Sequence, residues 1–320
     1  FMKRLSGDLV EQNFLDRKQY AQQGLDLMAV EEVFETFLTT KETVLEQGFP
    51  FQWDPCTLPG IFRSKDEQHQ LDSPLQIVFL GGTCTARAAS NCGHRDEETH
   101  LEDRFTSILA DSLEGDSFLH VSDTRQARMD FDVLNMAQGN SGSMLSSLTL
   151  DTLVDPKKAD ILVYEYFVDD SWNVNHASVL NLELWLVRVK TLFQRAGRPV
   201  PPIMLLFLWE ARIGMQKETK KQYILENGID SPVYGAWNAI EKYKDQGWNI
   251  QAVSVGSTFN NINKIASKPY LIVDDEHHPS CYSVHHISNM IKHAIYTDIA
   301  SCKAVPKPGR GRQPTVDLKS

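Results

Sequence analysis

The residues best suited to chemistry are an aspartate and a histidine three positions apart near the C-terminus, Asp275 and His278. On a loop, this spacing can set the carboxylate against the Nδ1–H of the imidazole, which leaves Nε2 free as a general base. Pro279 follows directly and would hold the loop rigid. The alternative interpretation is a solvated, acidic helix N-terminus, where carboxylates favour the helix dipole. Since such a spacing is frequent by chance, the pair alone would favour this alternative.

Three further polar clusters follow apolar, strand-like stretches of the chain. They are Gly81–Thr85, Gln138–Gly142 and Asp169–Ser171. In open α/β sheets, ligands bind beyond the carboxyl ends of the strands. The shared position of the clusters therefore predicts one composite pocket, to which the Asp275 and His278 pair also belongs.

The elements that must position these clusters alternate between strands and helices. Apolar runs bounded by turn residues predict strands at 75–80, 118–122, 131–137, 160–168, 202–209 and 249–255. Apolar residues at three- and four-residue steps predict helices at 29–47, 98–113, 143–153, 178–196, within 229–246, and at 259–266 and 280–300. Strands alternating with helices of this length imply a mainly parallel sheet covered on both faces.

We expect three parts in the chain. Residues 1–70 form an N-terminal helical and loop extension packed on the main domain, and residues 71–302 form that domain. Residues 303–320 form a basic, disordered tail.

Four of the clusters, in chain order, resemble sequence blocks of the SGNH (GDSL-type) hydrolase superfamily. Ile77–Thr85 resembles the strand and Gly-Asp-Ser-x-Thr of the first block, and Asn135–Ser143 resembles the second. Asp160–Asp170 resembles the third, and Asp275–Pro279 resembles the Asp-x-x-His-Pro of the fifth. The resemblance covers roughly residues 75–298. It implies a three-layer α/β sandwich whose mainly parallel, flavodoxin-like sheet has about five strands.

The resemblance also implies a catalytic arrangement. Thr83 would be the nucleophile, His278 the base and Asp275 the residue that orients the base. The oxyanion hole would consist of the N–H groups of Thr83 and Gly139 and the side chain of Asp169. The residues expected to line the pocket are Gly82, Cys84, Asn140, Asp170 and Trp172. The implied substrate is a small-molecule, carbohydrate or lipid ester, and the sequence indicates neither a cofactor nor a metal.

Three positions depart from the family pattern. Thr83 stands in place of the nucleophilic Ser, Gly82 in place of the preceding Asp, and Asp169 in place of the oxyanion-hole Asn. The extra methyl group of Thr restricts χ1 and crowds the path of attack. An ionised Asp169 would repel the developing oxyanion, and losing one donor already costs about 10²–10³ in rate. Asp169 would help only if burial kept it protonated or if it bound a cation.

These departures leave three interpretations open. In the first, the chain is an esterase or acyltransferase that uses Thr83, and the intact pair of Asp275 and His278 favours it. In the second, the domain has lost hydrolysis and binds a glycan or a protein, which the residues at 83 and 169 favour. In the third, Cys84 is the nucleophile, and we rank it last because the turn would aim its side chain away. We expect an ester hydrolase, with the binding module as the alternative.

Two contacts are expected beneath the pocket. Glu165 lies on the central predicted strand, so its buried carboxylate would need a partner such as Arg87 or a hydroxyl. Cys92 follows the nucleophile turn and Cys281 follows His278, so the fold could bring them together as a disulfide. The chain has five cysteines and none in a CxxC pair, which gives no support to a zinc or thioredoxin-like motif.

The composition of the chain limits the kinds of partner that we expect it to have. The 320-residue chain has a formal net charge of −10, which argues against a nucleic-acid groove over its surface. No apolar stretch reaches the ~18 residues that a membrane span needs. We expect a soluble protein, which an upstream signal or anchor on a longer chain would place in the secretory lumen or outside the cell. The sequence makes no prediction of the oligomeric state.

Overall fold

The computed structural model describes residues 48–67, 73–87, 104–113, 118–122, 125–171, 177–209, 236–258, 272–273 and 278–304. Its strands are β1 (Leu75–Gly81), β2 (Phe118–Ser122), β3 (Arg125–Arg128), β4 (Phe131–Asn135), β5 (Ala159–Glu165), β6 (Ile203–Phe207) and β7 (Ile250–Ser254). Its helices are α1 (Thr57–Glu67), α2 (Thr83–Ala86), α3 (Phe105–Leu113), α4 (Ser143–Leu153), α5 (Phe167–Ser171), α6 (Ala177–Arg195), α7 (Ala236–Asp245) and α8 (Cys281–Ala304). A 3₁₀ turn, Gly256–Thr258, follows β7.

Five strands form one parallel sheet in the order β4-β1-β5-β6-β7. Numbered along the chain within this sheet, the order is 2-1-3-4-5, which is that of flavodoxin-like folds. The predicted fold class, an α/β sandwich on a mainly parallel five-stranded sheet, is therefore confirmed.

The strand predicted at 118–122 exists as β2 but lies outside this sheet. It pairs antiparallel with β3 in a separate two-stranded ribbon. Only two residues separate the two strands, whereas a parallel crossover needs a dozen or more. An antiparallel ribbon is the pairing that such a short connection allows.

The prediction of one strand over 160–168 is wrong at its C-terminal end. β5 ends at Glu165, opposite the last residue of β1, Gly81, and the chain then forms α5. Beyond this point β1 offers no further backbone partner, so Asp169 and Asp170 lie on a short helix instead of a strand. The helix predicted at 143–153 matches α4, and the predicted helices at 29–47 and 259–266 lie outside the described residues.

The two faces of the sheet bury separate hydrophobic clusters. Along β1, Ile77 and Phe79 belong to one cluster, and Val78 and Leu80 belong to the other. Helices α1, α3 and α8 cover the first face, and α4, α6 and α7 cover the second. Because both faces are buried, β1 and β5 are almost continuously apolar, as expected of parallel strands.

The segment before α1 covers the outer edge of β7. The N–H of Ser254 donates to the Gly48 carbonyl at 2.8 Å, and the N–H of Ala252 donates to the Phe51 carbonyl at 2.9 Å. A disulfide between Cys56 and Cys302 then joins the segment to the end of α8. Residues 48–67 therefore belong to the packed structure. No helix in the described part of the chain is long and apolar enough to cross a membrane.

Candidate active site

Thr83 lies where β1 passes into α2, and its polar groups are bound to Asp169. The backbone N–H of Thr83 donates to Asp169 Oδ2 at 3.0 Å, and the hydroxyl donates to Oδ1 at 2.9 Å. Asp169 follows β5, the neighbour of β1, so the parallel pairing brings both residues to the carboxyl edge of the sheet. Since both contacts come from donors, they suit an ionised carboxylate, which here takes the role of a helix cap.

Gly82 makes this contact possible. A Cβ atom at this position would overlap the Asp169 carboxylate. The Asp that the family pattern places at position 82 therefore cannot coexist with Asp169 in this conformation. The departures at positions 82 and 169 are thus coupled through space.

Asp170 repeats the same arrangement at α4. Its Oδ1 accepts the backbone N–H of Ser143 at 3.0 Å, and its Oδ2 accepts the Ser143 hydroxyl. The hydroxyl of Tyr164 donates to Oδ2 at 3.2 Å. Here too a glycine precedes the capped residue, and a Cβ on Gly142 would lie 2.7 Å from Oδ1. Asp170 was expected to line the pocket, but it is 1% exposed and caps α4 from within the core.

The loop after β4 reaches Thr83 through Asn140. Its N–H donates to Thr83 Oγ1 at 2.9 Å, and its backbone is left-handed, with φ of 59°. The Gly139 N–H, the expected oxyanion donor, forms no hydrogen bond within the described residues. The Asn140 N–H thus donates to the candidate nucleophile, and the neighbouring Gly139 N–H has no partner within the described residues.

His278 is buried at 7% exposure, and its Nδ1 lies 3.1 Å from Nη1 of Arg87. A guanidinium can only donate, so Nδ1 must accept and the ring proton resides on Nε2. The expected partner at Nδ1, Asp275, lies outside the described residues. An isolated antiparallel bridge joins Val273 to Pro279, the residue after His278. No hydrogen bond joins His278 to Thr83, both of which the structure describes.

Glu165, Asp169 and Asp170 lie close enough for their charges to interact. Burial raises the pKa of Glu165 well above its ordinary value, and the charge of Asp169 adds to the rise. Burial also raises the pKa of Asp169, while the hydrogen bonds from Thr83 and the charge of His278 oppose the rise. Glu165 Oε2 accepts the Thr85 hydroxyl at 2.7 Å, so a hydroxyl is its partner beneath the site.

Of the other residues expected in or near the site, some are described by the structure and some are not. Cys84 is fully buried in the hydrophobic core, so its thiol is not accessible as a nucleophile. Trp172 and Cys92 lie outside the described residues, and Cys281 is disulfide-bonded. No cluster of three or more His, Cys, Asp or Glu that could hold a metal ion occurs in the described part of the chain.

Comparison with known proteins finds similarity in structure only. No protein-family model matches the chain, and no curated protein matches it. A two-domain esterase active on acetylated mannans aligns with 84% of this chain at 15% identity and a TM-score of 0.47. This chain spans 59% of that esterase.

Two other solved structures are matched over nearly their full length. A carbohydrate acetylesterase from Sinorhizobium meliloti is 12% identical, with 71% of this chain and 99% of that chain covered and a TM-score of 0.43. A protein described as a GDSL-like lipase from Parabacteroides merdae is 14% identical, with 69% and 95% covered and a TM-score of 0.45. All three TM-scores lie below 0.5, so these proteins are only similar to this chain, and their activities are not assigned to it.

Sequence reasoning did not assign Arg87 to the site. It sits four residues after Thr83, one helical turn on, at the end of α2. That spacing is the signal that could have placed its side chain on the same side as Thr83. Nothing in the sequence pointed to the contact between the Arg87 guanidinium and Nδ1 of His278.

Proposed function

We propose that this chain is an SGNH-like domain of the esterase kind that binds its ligand without hydrolysing it, because Asp169 occupies the oxyanion position. The observation that carries the proposal is the pair of hydrogen bonds from the N–H and hydroxyl of Thr83 to Asp169. An ester carbonyl attacked at Thr83 would place its developing negative oxygen against this N–H. The carboxylate already holds that donor.

The energetic consequence follows from charge. Removing a single oxyanion donor typically lowers the rate about 10²–10³-fold. Here the donor of Thr83 is occupied, and the half-buried carboxylate of Asp169 stands in the oxyanion position. Like charges a few ångströms apart in a partly buried site repel by several kcal/mol. We therefore expect a larger loss than removal of one donor would produce.

The nucleophile candidate is not activated in this arrangement. The Thr83 hydroxyl directs its proton to Asp169 and accepts the N–H of Asn140. His278 meets Arg87 through Nδ1, and when Nδ1 accepts that hydrogen bond the ring proton lies on Nε2, which cannot accept the Thr83 proton. Proton transfer from Thr83 to His278 would require both contacts to rearrange.

A second candidate is an esterase or acyltransferase in which Asp169 is itself the base. The hydrogen bond from the Thr83 hydroxyl to Asp169 Oδ1, at 2.9 Å, favours it. Thr83 Oγ1 would attack the ester carbonyl carbon while its proton moved to Asp169, and the Gly139 N–H would receive the oxyanion. The ester C–O bond then breaks, the departing alkoxide takes the proton back from Asp169, and water or an acceptor hydroxyl cleaves the acyl-Thr83 that remains. The substrate would be a carbohydrate or lipid ester.

One substitution separates the two candidates. We would measure hydrolysis of 4-nitrophenyl acetate, a longer-chain 4-nitrophenyl ester and an acetylated oligosaccharide by the wild type and by Asp169→Asn. If Asp169 blocks the site, the amide restores a donor and raises kcat/KM by about 10²-fold or more. If Asp169 is the base, the same change abolishes whatever activity the wild type has.

Two controls sharpen the result. Asp170→Asn removes a carboxylate from the same short helix without touching Thr83, so we expect no gain in activity. In the double variant Thr83→Ala with Asp169→Asn, a gain that depends on Thr83 disappears.

If neither Asp169→Asn nor its combination with Thr83→Ser hydrolyses any of the esters, Asp169 is not what blocks the site. Calorimetry with the acetylated oligosaccharide then tests the wild type for binding without turnover.

A further inference from the structure

A cavity of about 130 Å³ lies between the segment before α1 and the C-terminal half of α8. Phe49 and Trp53 line it from the segment, and His293, Thr297 and Asp298 line it from the helix. An apolar cavity of about 150 Å³ takes benzene, so this volume suits a ligand of a similar number of non-hydrogen atoms.

This cavity is separate from the candidate active site. His293 lies twelve residues after Cys281, the first residue of α8, which places it roughly 18 Å along the helix axis. Thr83, Asp169 and His278 are not among its lining residues. A ligand here would leave the Thr83 site untouched, so the inference does not rest on the proposed function.

The walls of the cavity are held in place from both sides. Asp298 accepts the N–H of Thr57 at 3.1 Å and the N–H of Leu58 at 2.7 Å, which ties α1 to α8. The indole N–H of Trp53 donates to the Ile203 carbonyl at 2.9 Å. With the disulfide between the end of α8 and this segment, these bonds make the cavity a preformed one.

His293 is the observation that points to a ligand. Its imidazole lines the cavity at 6% exposure and forms no hydrogen bond to any residue that the structure describes. Its ring instead lies against Phe49, with centroids 5.2 Å apart. Thr297 Oγ1, also in the lining, is buried and forms no hydrogen bond to a residue that the structure describes, which is costly and rare in folded proteins. The His293 ring and this hydroxyl therefore mark where polar ligand atoms would bind.

The net charge of the lining residues determines which charge a ligand of this cavity should carry. Asp298 carries a carboxylate, and no lysine or arginine lines the cavity within the described part of the chain. Burial raises the pKa of Asp298 to about 6, so the carboxylate is ionised at neutral pH. Burial lowers the pKa of His293 to about 4, so the imidazole is neutral there and supplies one donor and one acceptor. The cavity is thus net negative with aromatic walls.

We propose that this cavity binds a small organic ammonium ion that also carries a hydroxyl group. The cation lies against Phe49 and Trp53 and is paired with Asp298, and the hydroxyl bonds to His293. Aromatic faces with a nearby carboxylate are the surroundings that proteins use for alkylammonium groups. Each accepting oxygen of Asp298 keeps a second lone pair for this purpose beside its bond to the α1 backbone.

The test uses choline as the probe and 3,3-dimethylbutan-1-ol as its uncharged isostere. Calorimetry or NMR titration of the full chain should give a Kd for choline of about 1 mM or below, and binding of the neutral alcohol at least about tenfold weaker. Equal binding of the two compounds, or no choline binding at about 10 mM, would overturn the proposal.

Three variants locate the site. Asp298→Asn keeps the shape and should weaken choline at least about tenfold, whereas Asp151→Asn removes an equal charge from an exposed position on α4 and should change nothing. His293→Phe keeps the ring beside Phe49, and should weaken choline a few-fold while tetramethylammonium, which lacks the hydroxyl, keeps its affinity. Circular dichroism confirms folding of each. An equal loss in Asp151→Asn and Asp298→Asn, or an equal loss of both ligands in His293→Phe, contradicts the assignment.

Discussion

Replacing both Cys56 and Cys302 with serine removes the disulfide that ties the segment before α1 to the end of α8. The two residues are 246 positions apart, so the bond closes most of the chain into one loop. The chain-entropy relation for a loop of this length gives an upper bound of about 5.5 kcal/mol at 25 °C, because the disulfide at Cys281 also constrains the unfolded chain. Removal of native disulfides typically costs about 2–5 kcal/mol, and we expect a value within this range.

The expected loss in the free energy of unfolding depends on where the disulfide lies in the chain. The unfolded chain gains freedom when the bond is absent, although the second disulfide, at Cys281, still limits part of that gain. In the folded state the joined segments stay in contact, since the Asp298 bonds to the N-terminus of α1 remain. The loss should therefore appear mainly through the unfolded state, with little change in the folded structure.

Urea unfolding followed by tryptophan fluorescence measures this difference, with both proteins kept free of reductant because Cys281 is also disulfide-bonded. Ser301→Ala is the matched control. It removes the side-chain oxygen that accepts the Cys56 N–H at 3.2 Å but leaves the crosslink, and should cost about 1 kcal/mol or less. A loss in the double variant that is no larger than in this control would refute the argument from loop length.

Two further predictions concern the caps and the buried histidine. Gly142→Ala should destabilise the fold by about 1–3 kcal/mol in urea unfolding, because its Cβ would lie 2.7 Å from the buried Asp170 carboxylate. Gly139→Ala, where a Cβ meets nothing within 4 Å, should be close to neutral, and an equal loss in both would contradict the steric reasoning. Burial lowers the pKa of His293 to about 4, so its contribution to stability is present above pH 6.5 and is lost as the pH falls towards 4. Asp298, whose pKa burial raises to about 6, acts in the opposite sense, since its contribution is present below its unfolded pKa and is lost as the pH rises through 6. His293→Leu should therefore lose less stability than the wild type between pH 7.5 and pH 5, and an unchanged pH dependence would show that His293 is not buried in its neutral form.

Much of the architecture could be predicted from the sequence because the signals are local. The apolar run over Leu75–Leu80 and the helical spacing over Ser143–Leu153 each lie within a dozen residues, and the structure has β1 and α4 there. The alternation of such segments implied a parallel sheet, and with it the edge where Thr83 and Asp169 meet. The end of the central strand was missed because it is set by the length of its neighbour β1.

The candidate site was predictable in position but not in its bonding. Thr83 and Asp169 were placed together, yet which hydrogen bonds they would share was open. The adjacent Asp170 was assigned to the pocket surface because a sequence does not tell which of two neighbouring carboxylates faces inward. Arg87 was considered as a partner for Glu165, and the structure instead sets it against His278.

By itself, the sequence determined the order of strands and helices and the strand-end position of the polar clusters, because backbone propensity and hydrophobic periodicity act over a few residues. The tertiary structure alone decided that Asp169 holds both donor groups of Thr83, 86 residues away in the chain. It also decided that Cys56 pairs with Cys302 and that His293 faces a cavity. These features depend on which side chains packing brings within a few ångströms of each other, because both hydrogen bonds and disulfides form only at short range and in specific geometries.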